Sequence, residues 1–139
     1  MRFDLPPDHE IFVPAVEDVH WLHDNVALIE GGLPGITDEG ALASALARPL
    51  HVAAYSDANP DLIFLAAYLW HGVSEAHSYA DGNKRTAVLV MIAFLAANGI
   101  EYLAQEDEIG RLVDGWYKGS VFTLDQLDGY LRARCRWAE

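Results

Sequence analysis

The chain has 139 residues, enough to bury one core and too few for two ordinary domains, so a single domain over residues 1–139 is expected. Hydrophobic residues make up 52% of it, which excludes a disordered chain. With 9 basic against 21 acidic residues the net charge is −12, which excludes a broad basic surface and argues against nucleic acid as a direct partner.

The single cysteine, Cys135, rules out an intramolecular disulfide and fits a reducing compartment. The opening MRFDLPPDHE lacks the apolar stretch of a signal peptide. The longest apolar run, residues 87–97, is far shorter than the ~20 residues a bilayer span needs. The expectation is a soluble cytoplasmic protein with no membrane partner.

Pro14 is suited to open a first helix, and Val16, Val19, Leu22, Val26 and Ile29 recur at helical spacing until Gly31 and Gly32 stop it. Thr37 is placed to cap a second helix, with Asp38 and Glu39 favourable to its dipole, ending before Pro49. Residues 50–58 are ambiguous. Asn59-Pro60-Asp61 signals a third helix that runs to about Ala76. Residues 77–82 read as a loop. Asn83 starts a helix that is apolar nearly all round, and Asn98-Gly99 ends it. Residues 100–104 read as a short extended piece and 106–118 as a helix. Thr123 and Gln126 match a capping box for a last helix to about Arg134, and Cys135 is expected as its continuation. The class is all-α, a compact bundle of about six helices.

The segment between the two apolar helices carries the chemistry. His77, Asp81, Gly82, Asn83, Lys84 and Arg85 fall within nine positions. A helix N-terminus offers unpaired N–H groups to anions, and glycine lets the backbone approach a ligand. Lys84 and Arg85 stand where the helix dipole disfavours cations, which is the mark of a phosphate site. Asp81 is a hard oxygen ligand suited to Mg²⁺. His77, with an ordinary pKa near ~6.5, is the best general base. Together they suggest transfer of a phosphate-containing group to a hydroxyl. Spacing alone leaves open an ordinary capped turn with Lys84 and Arg85 on a solvated face.

The segment resembles the Fic family motif, His-x-Phe-x-Asp/Glu-Gly-Asn-Gly-Arg-x-x-Arg. It is closer to the death-on-curing (Doc) branch, whose ending Asn-Lys-Arg-Thr-Ala is matched by Asn83, Lys84, Arg85, Thr86 and Ala87. Gly31-Gly32-Leu33-Pro34-Gly35, Asp38-Glu39-Gly40, Ala45-Leu46-Ala47-Arg48-Pro49 and Phe94-Leu95-Ala96-Ala97-Asn98-Gly99 also look like Doc, so the resemblance covers about residues 14–134. It implies a Fic fold, with the motif in a helix–loop–helix. Fic enzymes mostly transfer AMP from ATP to a protein hydroxyl. Doc-type toxins are kinases that phosphorylate a threonine of elongation factor Tu, and a Phd-like antitoxin restrains them. By position, the resemblance makes His77 the catalytic base and Asp81 the Mg²⁺ ligand. Gly82, Asn83, Lys84 and Arg85 would bind the phosphates of ATP, and Tyr79 would position the motif.

Four residues depart from the pattern. Tyr79 replaces a Phe that anchors the loop, so its hydroxyl needs a partner. Lys84 replaces the Gly of AMP-transferring members, and Val88 stands where they carry a second Arg; both favour a kinase. Glu75, two residues before His77, brings a carboxylate that would repel ATP or raise the His77 pKa. Three readings follow: a toxin kinase, an AMP transferase, and an inactive Fic-fold binding module marked by Glu75 and Tyr79. Outside the motif, His20 and His23 have a spacing that suits metal but lack a third ligand nearby. His71 reads as a helix residue facing its neighbours. Tyr68, Trp70, Trp116 and Trp137 read as core or interface aromatics. The Gly-rich turn flanked by Glu30 and Asp38 reads first as a connection and second as a platform for a target peptide.

Overall fold

A computed structural model describes residues 1–8, 10–104 and 106–139. Six α-helices follow one another: α1 (Val16–Leu22), α2 (Glu39–Tyr55), α3 (Leu62–Glu75), α4 (Asn83–Ala97), α5 (Glu106–Lys118) and α6 (Leu124–Arg132). The architecture is the expected all-α bundle. It carries one small addition, an antiparallel ribbon of β1 (Ile100–Tyr102) and β2 (Cys135–Trp137) in which Ile100 pairs with Trp137. The extended piece after α4 is thus a strand, and Cys135 lies in its partner rather than in a helix. Helix α6 stops at Arg132 because Ile100–Tyr102 offers the returning chain an unpaired edge.

Helix α3 sits at the centre, with ten of its residues buried on several faces. Trp70 lies in an aromatic nest, its ring centroid 6.1 Å from both Trp116 and Tyr130 and 6.2 Å from Phe122. Trp137 is half-exposed and leans on Phe3, with centroids 5.4 Å apart. The His71 ring stacks on Phe122 at 5.5 Å, a neighbour contact as expected. Helix α4 packs alongside through Ala87, Val90, Met91, Phe94 and Leu95.

Two boundaries differ from the sequence reading. Helix α2 runs through Pro49 to Tyr55. Pro49 removes one backbone hydrogen bond, yet Leu42, Ala45, Leu46 and Pro49 form one buried stripe at helical spacing, with Val52 and Ala53 continuing it. Packing of that stripe outweighs the local break. Helix α1 gives way after Leu22 to a π-helical turn, His23–Ala27, closed by the Leu28 N–H donating to the His23 carbonyl at 3.1 Å. The wider turn sets both His23 and Ala27 inward. Among the described residues no helix is long and apolar enough to cross a membrane.

Candidate active site

The loop between α3 and α4 is built from both sides. On one side, segment 35–38 runs against it. Ile36 forms a bridge with Tyr79, the Thr37 and Asp38 N–H groups donate to the Ser78 carbonyl at 2.7 and 3.1 Å, and the Ala80 N–H donates to the Gly35 carbonyl at 3.1 Å. Thr37, expected to cap α2, instead turns its hydroxyl to the Ser78 and His77 carbonyls. Asp38 takes the cap, accepting from the Ala41 N–H at 2.9 Å.

On the other side, α1 and its π turn hold Tyr79. The His23 ring stacks on the Tyr79 ring at 3.7 Å, and the Tyr79 hydroxyl meets His20 Nδ1 at 2.8 Å. His20 Nε2 in turn donates to Glu39 Oε1 at 2.8 Å, so the ring bridges the tyrosine hydroxyl to the first turn of α2. Burial, helped by the charges of Asp24 and Glu39, pushes the Tyr79 pKa up to about 12, so the hydroxyl keeps its proton. The partner that Tyr79 needs is therefore present. His23 is fully buried and spans Asp24 Oδ1 at 2.9 Å and the Asp81 carbonyl at 2.8 Å. The two histidines weighed as half of a metal site hold the loop instead.

Within the loop, Asn83 accepts from the Tyr79 N–H at 3.0 Å and donates to the Tyr79 carbonyl at 2.8 Å. Its side chain is spent on the loop, so what it offers an anion is its main-chain N–H. Gly82 has φ 79°, and a Cβ there would meet Leu28 Cδ2 at 3.1 Å, so both conformation and space call for glycine. The Thr86 N–H donates to the Gly82 carbonyl, the first bond of α4, and the N–H groups of Asn83, Lys84 and Arg85 lie in the open turn ahead of it.

Asp81 is exposed. Its carboxylate accepts from the Gly82 N–H at 2.9 Å and the Leu33 N–H at 3.3 Å, which ties the Gly-rich turn to the motif. A Cβ on Gly32, at φ 126°, would stand 3.1 Å from Asp81 Oδ2. The turn is thus more than a connection. Asp81 keeps lone pairs for a hard cation, and one carboxylate with substrate phosphates suffices for Mg²⁺. The donor set fits.

His77 is exposed, with φ 47° in the left-handed region, and its imidazole makes no hydrogen bond among the described residues. Lys84 reaches toward α5, with Nζ 3.4 Å from Asp114 Oδ1 and 4.6 Å from the Tyr117 ring centroid. Arg85 points to the π turn, 3.5 Å from the Ala27 carbonyl. A groove of about 460 Å³ opens beside these cations, walled by Val88, Ile92, Ile109 and Val113. Glu75 accepts from the Tyr117 hydroxyl at 3.1 Å, so its carboxylate is used to tie α3 to α5.

Sequence reasoning missed His20, His23 and Glu39 as loop holders. The available signal was a histidine at 23, on the apolar face of α1, where a hydrophobic side chain would serve a plain core.

Comparison with known proteins agrees with this geometry. The Fic/DOC family model matches residues 14–95, which include both the Gly-rich turn and the loop. Toxin Doc of Mycolicibacterium smegmatis is 38% identical over 84 residues, covering 60% of this chain and 64% of that protein, just under two thirds of its length. Protein kinase doc of Escherichia phage P1 is 30% identical over 105 residues, covering 76% of this chain and 82% of that protein.

Proposed function

The chain belongs to the Fic/DOC family, and we propose that it is a Doc-type toxin that transfers the γ-phosphate of ATP to a protein hydroxyl. The observation that carries this reading is the state of the loop. Its other members are tied down, while the His77 imidazole stands exposed near an open helix turn bearing two cations. The kinship with a phage protein named as a kinase supports it. All six helices share one core, which supports reading residues 1–139 as one domain.

His77 acts as the base, taking the proton of the incoming hydroxyl as that oxygen bonds to the γ-phosphorus. The bond from the γ-phosphorus to the β–γ bridging oxygen breaks, and ADP leaves with the electron pair. The first-turn N–H groups of α4 and the Lys84 and Arg85 side chains bind the phosphate oxygens and stabilise the charge that builds on them. Gly82 lets the turn form. Tyr79 fixes the loop's centre. Asp81 would hold Mg²⁺, which when bound neutralises phosphate charge and aligns the transfer.

Three structural details favour this reading over its rivals. Lys84 is braced by Asp114 and Tyr117 at the position where AMP-transferring members carry glycine, and Val88 lines the groove where they carry arginine. Glu75, the mark of an inactive module, is engaged by Tyr117. The target we propose is a threonine of a translation factor such as elongation factor Tu, and the regulator a Phd-like antitoxin, in the cytoplasm.

The test is labelling of a bacterial lysate with ATP labelled at the γ- or the α-phosphate, with Mg²⁺ and a His77→Ala control. A band labelled only from γ, reduced about a hundredfold or more in the control, is expected. A band labelled from α would make the protein an AMP transferase. No band from either label, together with no ATP binding, would make it a binding module.

A further inference from the structure

His77 holds a φ of 47°, in the left-handed region that residues with a Cβ adopt uncommonly. Its own imidazole contributes no hydrogen bond to that end. The loop is fixed instead through its main chain by segment 35–38 and at Tyr79, two residues after His77 and two before Asp81. Tyr79 is 5% exposed and is held at every polar atom: Asn83 takes its N–H and carbonyl, and His20 takes its hydroxyl. His23 covers one face of its ring and also takes the carbonyl of Asp81.

We infer that His20 and His23 are positioning residues. By clamping Tyr79 and the Asp81 carbonyl from α1 and its π turn, they set the His77 imidazole and the Asp81 carboxylate at the head of α4. The inference rests on the proposed roles of His77 and Asp81. His23 fixes the Asp81 end directly. His20 fixes the centre and links it to the first turn of α2 through Glu39. Both histidines lie more than fifty residues from the loop they hold. The π turn gives the arrangement a local cause: it widens the helix where His23 turns inward beneath Gly82, its ring in van der Waals reach of that glycine, 3.6 Å from where a Cβ would lie.

Removing His20 leaves the Tyr79 hydroxyl buried without its hydrogen-bond partner, and the loop must shift to satisfy it. His20→Leu is therefore expected to lower kcat about tenfold or more while the KM for ATP stays within about twofold. The histidine NMR signals of His77 in ¹⁵N-labelled protein are expected to move. Adding Tyr79→Phe removes the orphaned hydroxyl and is expected to restore both kcat and the His77 signals most of the way. His20→Asn, which keeps an acceptor near the Nδ1 position, should also retain them. A role in stability alone would lower the melting temperature without this pattern of rescue.

Unchanged kcat and unchanged His77 signals in His20→Leu would overturn the inference, as would a double variant no better than the single one. Should His20→Leu fail to fold, His23→Phe, which keeps the stack on Tyr79 and removes the contact to the Asp81 carbonyl, replaces it, with moved His77 signals expected and unmoved signals overturning. Should the native protein transfer no phosphoryl group, the proposed function fails while the His77 signals still decide the positioning role.

Discussion

Two aspartates stand at the heads of the two central helices, and they are used in opposite ways. Asp61 caps α3 and is 1% exposed. It accepts from the Phe64 N–H at 3.0 Å, the Phe3 N–H at 3.1 Å and the Arg132 guanidinium at 2.7 and 2.9 Å. Arg132 is filled in turn, holding Asp128 at 2.8 and 3.0 Å and the Met1 carbonyl at 3.2 Å. Asp81 precedes α4 and is exposed, with two main-chain donors and oxygen lone pairs left over. Arg85, the nearby cation, has one long contact to the Ala27 carbonyl. Each helix head favours negative charge. At α3 the chain satisfies that preference with its own carboxylate and closes the site with its own cation. At α4 it leaves room for an anion and a cation from solution. Saturation of the donors and acceptors, rather than residue type, separates the structural head from the one proposed to carry chemistry.

Exchanging each aspartate for asparagine is the most direct way to break this contrast. Asp61→Asn leaves Arg132 half-paired beside a buried amide, and a loss of about 3 kcal/mol is expected, or roughly 10 °C in the melting midpoint. Activity per folded molecule should not change. Asp81→Asn should leave the midpoint within about 2 °C while lowering Mg²⁺-dependent transfer about a hundredfold. Calorimetric melts and transfer rates on the same two variants read both effects. If Asp81→Asn melted as early as Asp61→Asn, the Asp81–Leu33 contact would be a structural staple and the contrast would fail.

Acid titration sharpens it further. Burial alone would raise the Asp61 pKa, but the Arg132 hydrogen bonds, the Phe64 and Phe3 N–H groups and the Arg132 charge outweigh it and hold the group at about 2, below the ordinary 3.8. A carboxylate whose folded pKa is depressed contributes its stability above the unfolded pKa and loses it as pH falls through the folded one. The contribution, about 2 kcal/mol, is expected to be intact above pH ~4 and to fade toward pH ~2. Urea melts across that range should show the loss in the native protein and a flatter profile in Asp61→Asn. Equal slopes in the two would mean that Asp61 does not carry this acid sensitivity.

Much of this was readable in the chain beforehand, and the division is physical. The start of α4 at Asn83, its end at Asn98-Gly99 and the Thr123 cap on α6 rest on local chemistry, and each appears where the local signal put it. So does the loop itself. The run of α2 through Pro49 was not readable, because the buried stripe that overrides the proline is defined only by what packs on it. Nor were His20 and His23, whose partners lie 58 and 59 residues away and which alone resemble a surface pair. Thr37 shows the same limit: the local rule gave its hydroxyl to α2, and the fold gave it to Ser78 and His77.

The smallest expected effect lies inside the motif. Thr86 is fully buried in the first turns of α4, and its hydroxyl has no hydrogen-bond partner among the described residues; the Ser78 hydroxyl shares that state, whereas Asp61 at the head of α3 has every oxygen engaged. A buried hydroxyl without a partner keeps its desolvation cost. Valine has nearly the same shape and the same stiff χ1 preference in a helix. Thr86→Val is therefore expected to raise stability by about 1 kcal/mol, or roughly 3–4 °C, without altering transfer. A loss of stability instead would mean that the hydroxyl bonds back to a carbonyl of the preceding turn. The head of α4 would then be as satisfied inside as that of α3, and the difference between the two would be confined to the exposed carboxylate and cations.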